Sequence, residues 1–285
     1  MTSWLVTAED EESLRQELPA QASLVFGFGE RFFVVRANDP PALHSGSVID
    51  PSSIKDAKKR HFIAQWRLAE RETPTVTDQG AADGYTPHVP TSAKPAGAPP
   101  LLGSVPIGLV VVDSNQSPLG ASDAHHWQQQ ALSALSVLHA LAPGPLTFFP
   151  RLEWVRCAKP PGPYSGGSDP LSRYESGWVY DALYWLGHPS GSFGKYLETL
   201  RKPVNAHTSL AVVMTTYPLA HYGYYRGGVV MISPNATSAS LAWVVAHEVC
   251  HHFGAAEEFG TAGANCMMRD FSMKVCAQTA AEMGW

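Results

Sequence analysis

The stretch Val245-Ala246-His247-Glu248-Val249-Cys250-His251-His252-Phe253-Gly254 concentrates the chemistry of this chain. Its His-Glu-x-x-His spacing sets His247 and His251 four residues apart. On a helix both imidazoles then lie on one face, one turn apart, and can share a tetrahedral cation. Glu248 lies about 100° around such a helix from His247. Its carboxylate is therefore beside the cation, placed to take a proton from water without being a ligand itself. The apolar residues Leu241, Trp243, Val244 and Val245 lead into the motif, so the helix predicted over Ser238–Phe253 is a buried one. Buried histidines and a buried glutamate need partners, because an unsatisfied polar group away from water is costly. A helix that merely carries surface histidines sits poorly with that apolar lead-in.

Gly254 follows three residues after His251, where it can take the left-handed conformation that ends a helix and turns the chain. Glu257 and Glu258 come next, then Cys266-Met267-Met268 in a turn containing Gly and Asn, and a last helix is predicted over Ser272–Met283. Upstream, Val105–Asp113 is a near-continuous apolar run, as a strand buried on both faces should be. Asp123–Leu141 reads as a helix with Trp127, Ala131, Leu135 and Leu138 on one side. Leu146–Cys157, Leu210–Thr215 and Gly228–Ser233 read as strands, and Gly177–Leu186 and Phe193–Lys202 as short helices. Strands alternating with helices predict an α/β (α+β) domain over residues 101–285.

The first hundred residues read differently. Residues 1–72 suit a small α/β N-terminal domain, with strands at Trp4–Thr7, Ser23–Phe28 and Phe32–Val35 and an acidic helix start at Glu9. A charged helix is predicted within 52–72. Residues 73–100 are rich in Pro, Gly, Ala and Thr, the composition of a linker or long loop.

Composition narrows the function classes. The 285 residues are 45% hydrophobic and 16% charged, enough apolar material for a core, which excludes a wholly disordered chain. A net charge of −5 with no basic run argues against a nucleic-acid partner. No stretch approaches the roughly 18 apolar residues that span a bilayer. The opening MTSWLVTAEDEE has no basic segment followed by an apolar one, so a secretory signal is not expected. The cytoplasm is then the default location, with signal-independent export left open. Four cysteines, Cys157, Cys250, Cys266 and Cys276, are too few for a disulfide scaffold and form no CxxC pair. A Cys266–Cys276 disulfide is conceivable on the sequence, and the oligomeric state is not legible in it.

The helix motif, the glycine after it and the methionine-bearing turn together resemble the metzincin clan of zinc metalloproteases. Its members carry HExxHxxGxx(H/D), then a methionine turn and a C-terminal helix. The resemblance covers roughly residues 101–285 and implies a mixed, mostly parallel sheet with an active-site helix. It implies one catalytic Zn²⁺, a protein or peptide substrate, and a strand before the active-site helix that borders the cleft. The third-ligand position, six residues after His251, falls on Glu257 where the clan has His or Asp. A carboxylate binds zinc at about 2.0–2.2 Å, so the departure is chemically tolerable. Glu258 is its neighbouring rival, and Glu282 a remote one. The turn methionine falls on Met268 by the Cys-x-Met spacing, with Met267 adjacent; either would form an apolar floor under the metal. His252 and the aromatics of His221–Gly228 are left unassigned, and Cys250 reads as a small buried residue.

The expected activity is a zinc-dependent endopeptidase with Glu248 as general base. A narrow zinc amidase or exopeptidase competes with it, as does a binding protein on a degenerate zincin scaffold. The N-terminal unit is expected either to cover the cleft, with Asp78 and Asp83 as contacts, or to be a separate binding module or an extension packed on the back of the catalytic domain.

Overall fold

The computed structural model describes residues 1–28, 31–71, 98–158, 176–188, 192–217, 219, 223–232, 238–256, 266–268 and 272–285. The chain begins with β1 (Thr2–Thr7), α1 (Glu11–Glu17), β2 (Ser23–Phe28), β3 (Phe32–Ala37), β4 (Ser47–Val48) and α2 (Ala57–Arg71). It continues through β5 (Gly103–Ser114), α3 (Ala121–Leu141), β6 (Leu146–Cys157), α4 (Ser176–Trp185) and α5 (Phe193–Arg201). Then come β7 (Leu210–Thr215), β8 (Gly223–Arg226), β9 (Val229–Ile232), α6 (Ser238–His252) and α7 (Ala277–Met283).

Among the described residues the strands form one sheet in the order β4-β1-β3-β2-β6-β5-β7-β9-β8. Its centre, β2-β6-β5-β7-β9, is parallel. Both ends are antiparallel: β3, β1 and β4 on one side, β8 on the other. The expected α/β architecture with a mixed, mostly parallel sheet is what forms. Successive side chains of β5 alternate faces, as the strand period requires. Leu109 and Val111 enter the core under α2, α3 and α6, whereas Val110 and Val112 enter the opposite core with Tyr196 and Leu197 of α5. Apolar layers on both faces explain why β5 reads as an uninterrupted hydrophobic run.

The N-terminal strands extend this same sheet. β2 pairs in parallel with β6 through Phe26 and Phe148. Phe62, Ile63, Trp66 and Ala69 of α2 share one core with Leu132 and Leu135 of α3, and Gln129 Nε2 donates to Gln65 Oε1 at 2.8 Å between the two helices. Elements from before and after the Pro/Gly-rich stretch therefore share one sheet and one core. Most of that stretch, with Asp78 and Asp83, lies outside the described residues. Where the chain returns, Leu101 N–H donates to Met283 O at 3.0 Å and Trp285 Nε1–H to Leu101 O at 2.7 Å. The C-terminus is thereby fastened to the start of β5.

Two elements differ from their predicted extents. The last helix starts at Ala277 rather than Ser272, because Cys276 caps it: its Sγ accepts from Thr279 N–H at 3.5 Å. Gly223–Arg226, which carries no strand signal strong enough to single it out, is β8, the outermost strand. The strand read over Gly228–Ser233, the one expected to border the cleft, is β9 and lies one position inside that edge. Among the described residues no helix is long and apolar enough to cross a membrane.

His139, in the last turn of α3, donates from Nδ1 to Leu146 O at 2.7 Å. Burial holds its pKa below the usual histidine value. A folded pKa below the unfolded one means that its stabilisation is fully present above about pH 6.5 and is lost as pH falls through the folded value. Urea midpoints of the wild type and His139→Gln should therefore converge on going from pH 8 to pH 5. A gap that stays constant with pH would contradict this assignment.

Candidate metal centre

Helix α6 lies against α3 and β8 and presents His247 and Glu248 inward, each 2% exposed. His247 Nδ1 is 3.0 Å from Met267 O, and His251 Nδ1 is 2.8 Å from Ala255 O. A carbonyl oxygen only accepts, so each neutral ring carries its proton on Nδ1 and its lone pair on Nε2. The two Nε2 atoms converge to 3.1 Å. Two lone pairs brought that close are held together by a shared cation, either a proton or a metal ion. A tetrahedral zinc at about 2.0–2.1 Å from each nitrogen holds them roughly 3.3–3.4 Å apart. The donor pair fits such an ion within a few tenths of an ångström, and the carbonyl bonds behind it fix ring orientation as metal-binding histidines require.

Local sequence explains both backing bonds. Gly254 ends α6 at φ 98°, a left-handed conformation that a side chain would strain. Its N–H donates to His251 O and Ala255 N–H donates to Cys250 O, both at 3.1 Å. That turn swings Ala255 O round to His251. The other backing bond comes from the methionine turn, where Cys266, Met267 and Met268 are fully buried. Met267 supplies the carbonyl to His247, and its Sδ lies 3.7 Å from Cys250 Sγ. Burial pushes the Cys250 thiol well up, so it stays protonated as a small core residue. The Trp243 ring, one turn before His247, lies 4.8 Å from that imidazole.

Glu257 and Glu258 lie outside the described residues. The chain approaches them under control, since Glu282 Oε2 accepts from Ala256 N–H at 2.8 Å. Glu282 is thus engaged in anchoring the segment after Gly254. Cys266 and Cys276 are near one another but not in a disulfide. Cys266 Sγ accepts from Cys276 N–H at 3.4 Å and lies 3.1 Å from Thr279 Oγ1.

The edge strand closes the site from the other side. A Cβ at Gly223 would come within 2.7 Å of Val244 Cγ1 and 3.0 Å of Glu248 Oε1. The backbone of β8 therefore passes directly over the carboxylate, and only glycine allows that approach. Next along is a residue that the sequence reading left unassigned. His252 is 8% exposed, with Nδ1 3.1 Å from Tyr225 Oη and Nε2 3.0 Å from Thr208 Oγ1. Burial lowers its pKa to about 4, so the ring is neutral near pH 7. One signal was available: His252 is four residues after Glu248 and shares its helical face.

No protein-family model and no curated protein matches the chain. Similar solved structures include archaemetzincin from Methanopyrus kandleri, at 14% identity over 67% of this chain and 96% of that one, TM-score 0.30. Another is metalloproteinase-II from Bacteroides fragilis, at 11% identity over 92% of this chain and 85% of that one, TM-score 0.36. At that level of likeness, the chemistry of the site has to come from this chain's own residues.

Gly254→Ala should cost roughly 1–2 kcal/mol, the penalty for placing a side chain in left-handed backbone. It should also weaken zinc binding, because the turn that backs His251 shifts. Urea unfolding and competition against a chromogenic chelator measure the two effects. Unchanged zinc affinity would show that the turn does not orient His251.

Proposed function

We propose that this chain is a zinc-dependent endopeptidase, with His247, His251 and Glu257 as the protein ligands and Glu248 as the general base. The convergence of two Nε2 lone pairs, each backed by a carbonyl on Nδ1, is the observation that supports it most. Bound zinc supplies Lewis acidity that polarises a carbonyl and acidifies water near neutral pH.

The remaining work falls to the protein. Glu248 takes the proton of the attacking water on its carboxylate and delivers it to the departing amine. Trp243 and the buried methionine turn keep bulk water from the imidazoles, with Met268 proposed as the apolar floor. Strand β8 offers its outer edge to an extended peptide, adding the substrate as a further strand, with main-chain hydrogen bonds giving affinity. The glycine at 223 brings that strand within reach of Glu248. An extended peptide lying along a strand edge is bound through its middle, which favours internal cleavage over removal of terminal residues.

Glu248→Ala should retain zinc and lose about 10²–10⁴-fold in kcat on an internally quenched peptide. Activity that survives the substitution would sink the mechanism. Stripping zinc with a chelator should abolish cleavage, and adding it back should restore it. On the third ligand, Glu257→Ala should release zinc far more readily than Glu258→Ala, since a rim carboxylate contributes little. Equal retention in the two variants would reject Glu257. Mass spectrometry of the products of a long peptide separates internal cleavage from stepwise trimming.

A further inference from the structure

Glu248 and His252 stand four residues apart on α6, about 6 Å along the helix axis. Gly223 and Tyr225 stand two apart on β8, about 6.6–6.8 Å along the strand, and point to the same side. The two repeats nearly match. β8 can therefore run along the helix with Gly223 over Glu248 and Tyr225 over His252, and this is the observed arrangement.

The second contact is a hydrogen-bonded chain. Gly228 N–H donates to Tyr225 Oη at 3.2 Å. Tyr225 O–H is 3.1 Å from His252 Nδ1, and His252 Nε2 is 3.0 Å from Thr208 Oγ1. Both ring nitrogens are satisfied if the tyrosine hydroxyl donates to Nδ1 and Nε2–H donates to the threonine oxygen. The rings of Tyr225 and His252 also meet edge to face, with centroids 5.4 Å apart. Gly228 closes the two-residue turn between β8 and β9, with Gly227 and Gly228 at φ 56° and 85°, as a tight hairpin requires. Thr208 lies just before β7. One buried imidazole thus joins the last turn of the active-site helix to the edge strand, its hairpin turn and the entry to a central strand.

An edge strand is held by hydrogen bonds on one side only, and here β9 provides them over four residue pairs. Its height above α6 needs a second support. We propose that His252 is a positioning residue: through Tyr225 it clasps β8 to the active-site helix and so sets the distance between a peptide bound along β8 and the Glu248 carboxylate. The catalytic consequence rests on the endopeptidase reading; the clasp itself does not.

Two measurements on the zinc-loaded full chain separate them. Tyr225→Phe removes one oxygen and keeps the ring, and His252→Phe removes both bonds while filling the space. His252→Asn keeps an acceptor near the position of Nδ1. Amide hydrogen exchange over residues 223–226 should speed up about tenfold in Tyr225→Phe and His252→Phe. It should stay near wild type in His252→Asn, and the double variant Tyr225→Phe/His252→Phe should be no faster than either single one. Turnover of internally quenched peptides of eight and four residues provides the second measurement. The two Phe variants should raise KM about tenfold for the longer peptide and little for the shorter, with zinc affinity in chelator competition held within a factor of about two. Unchanged exchange in Tyr225→Phe overturns the clasp. Faster exchange with an unaltered long-to-short ratio overturns its role in positioning substrate. A wild-type protein that cleaves neither peptide brings down the endopeptidase reading, while the exchange data still decide the clasp.

Discussion

Two hydrogen bonds, from the Nδ1 atoms of His247 and His251 to main-chain carbonyls of Met267 and Ala255, are the constraint around which this site is arranged. Each sets a tautomer, and the two tautomers together aim both lone pairs at one point. Neither carbonyl belongs to the helix that carries the histidines. One is reached by reversing the chain at Gly254, the other by bringing a segment twenty residues away under the helix. His247 is the more deeply buried of the two, so losing its acceptor would leave a buried N–H without its partner.

The sheet makes that arrangement possible by being apolar on both faces. With α2, α3 and α6 on one side and α4 and α5 on the other, the central strands are closed off from water. Helix α6 is thus held along its buried faces, with Glu248 under β8, His247 on the methionine turn, His251 on the Gly254 turn and His252 between Tyr225 and Thr208. At the far end, the N-terminal strands pair onto β6 by way of β2 and bring α2 into the same core as α3. The described part of residues 1–71 therefore supports the scaffold of the site.

Along the line where α6 meets β8, two different periodicities run nearly in step. Glycine at 223 lets the backbone come down on Glu248, and a tyrosine at 225 fills the next gap and meets His252. Reversing those residues would place a phenol over the carboxylate and a bare backbone over the imidazole.

Much of this was legible before any coordinates. The spacing of His247, Glu248 and His251, the apolar lead-in from Leu241 to Val245 and the glycine at 254 mark a buried helix with both imidazoles on one face, because these are local properties of a 3.6-residue repeat. The doubly buried β5 and the long α3 were equally plain from apolar content. Three things depended on contacts between residues distant in sequence. The acceptor behind His247 is a main-chain carbonyl, which every residue possesses, so no residue type could announce it. β8 is four residues long and takes its place from pairing with β9, with too few positions for a period-two pattern to stand out. His252 stays unassigned in the sequence because its burial is produced by β8 and Thr208 lying across it. Sequence determined which side chains could do the chemistry; tertiary structure decided what stands behind and above them, since those partners are backbone atoms and edge strands that carry no signature of their own.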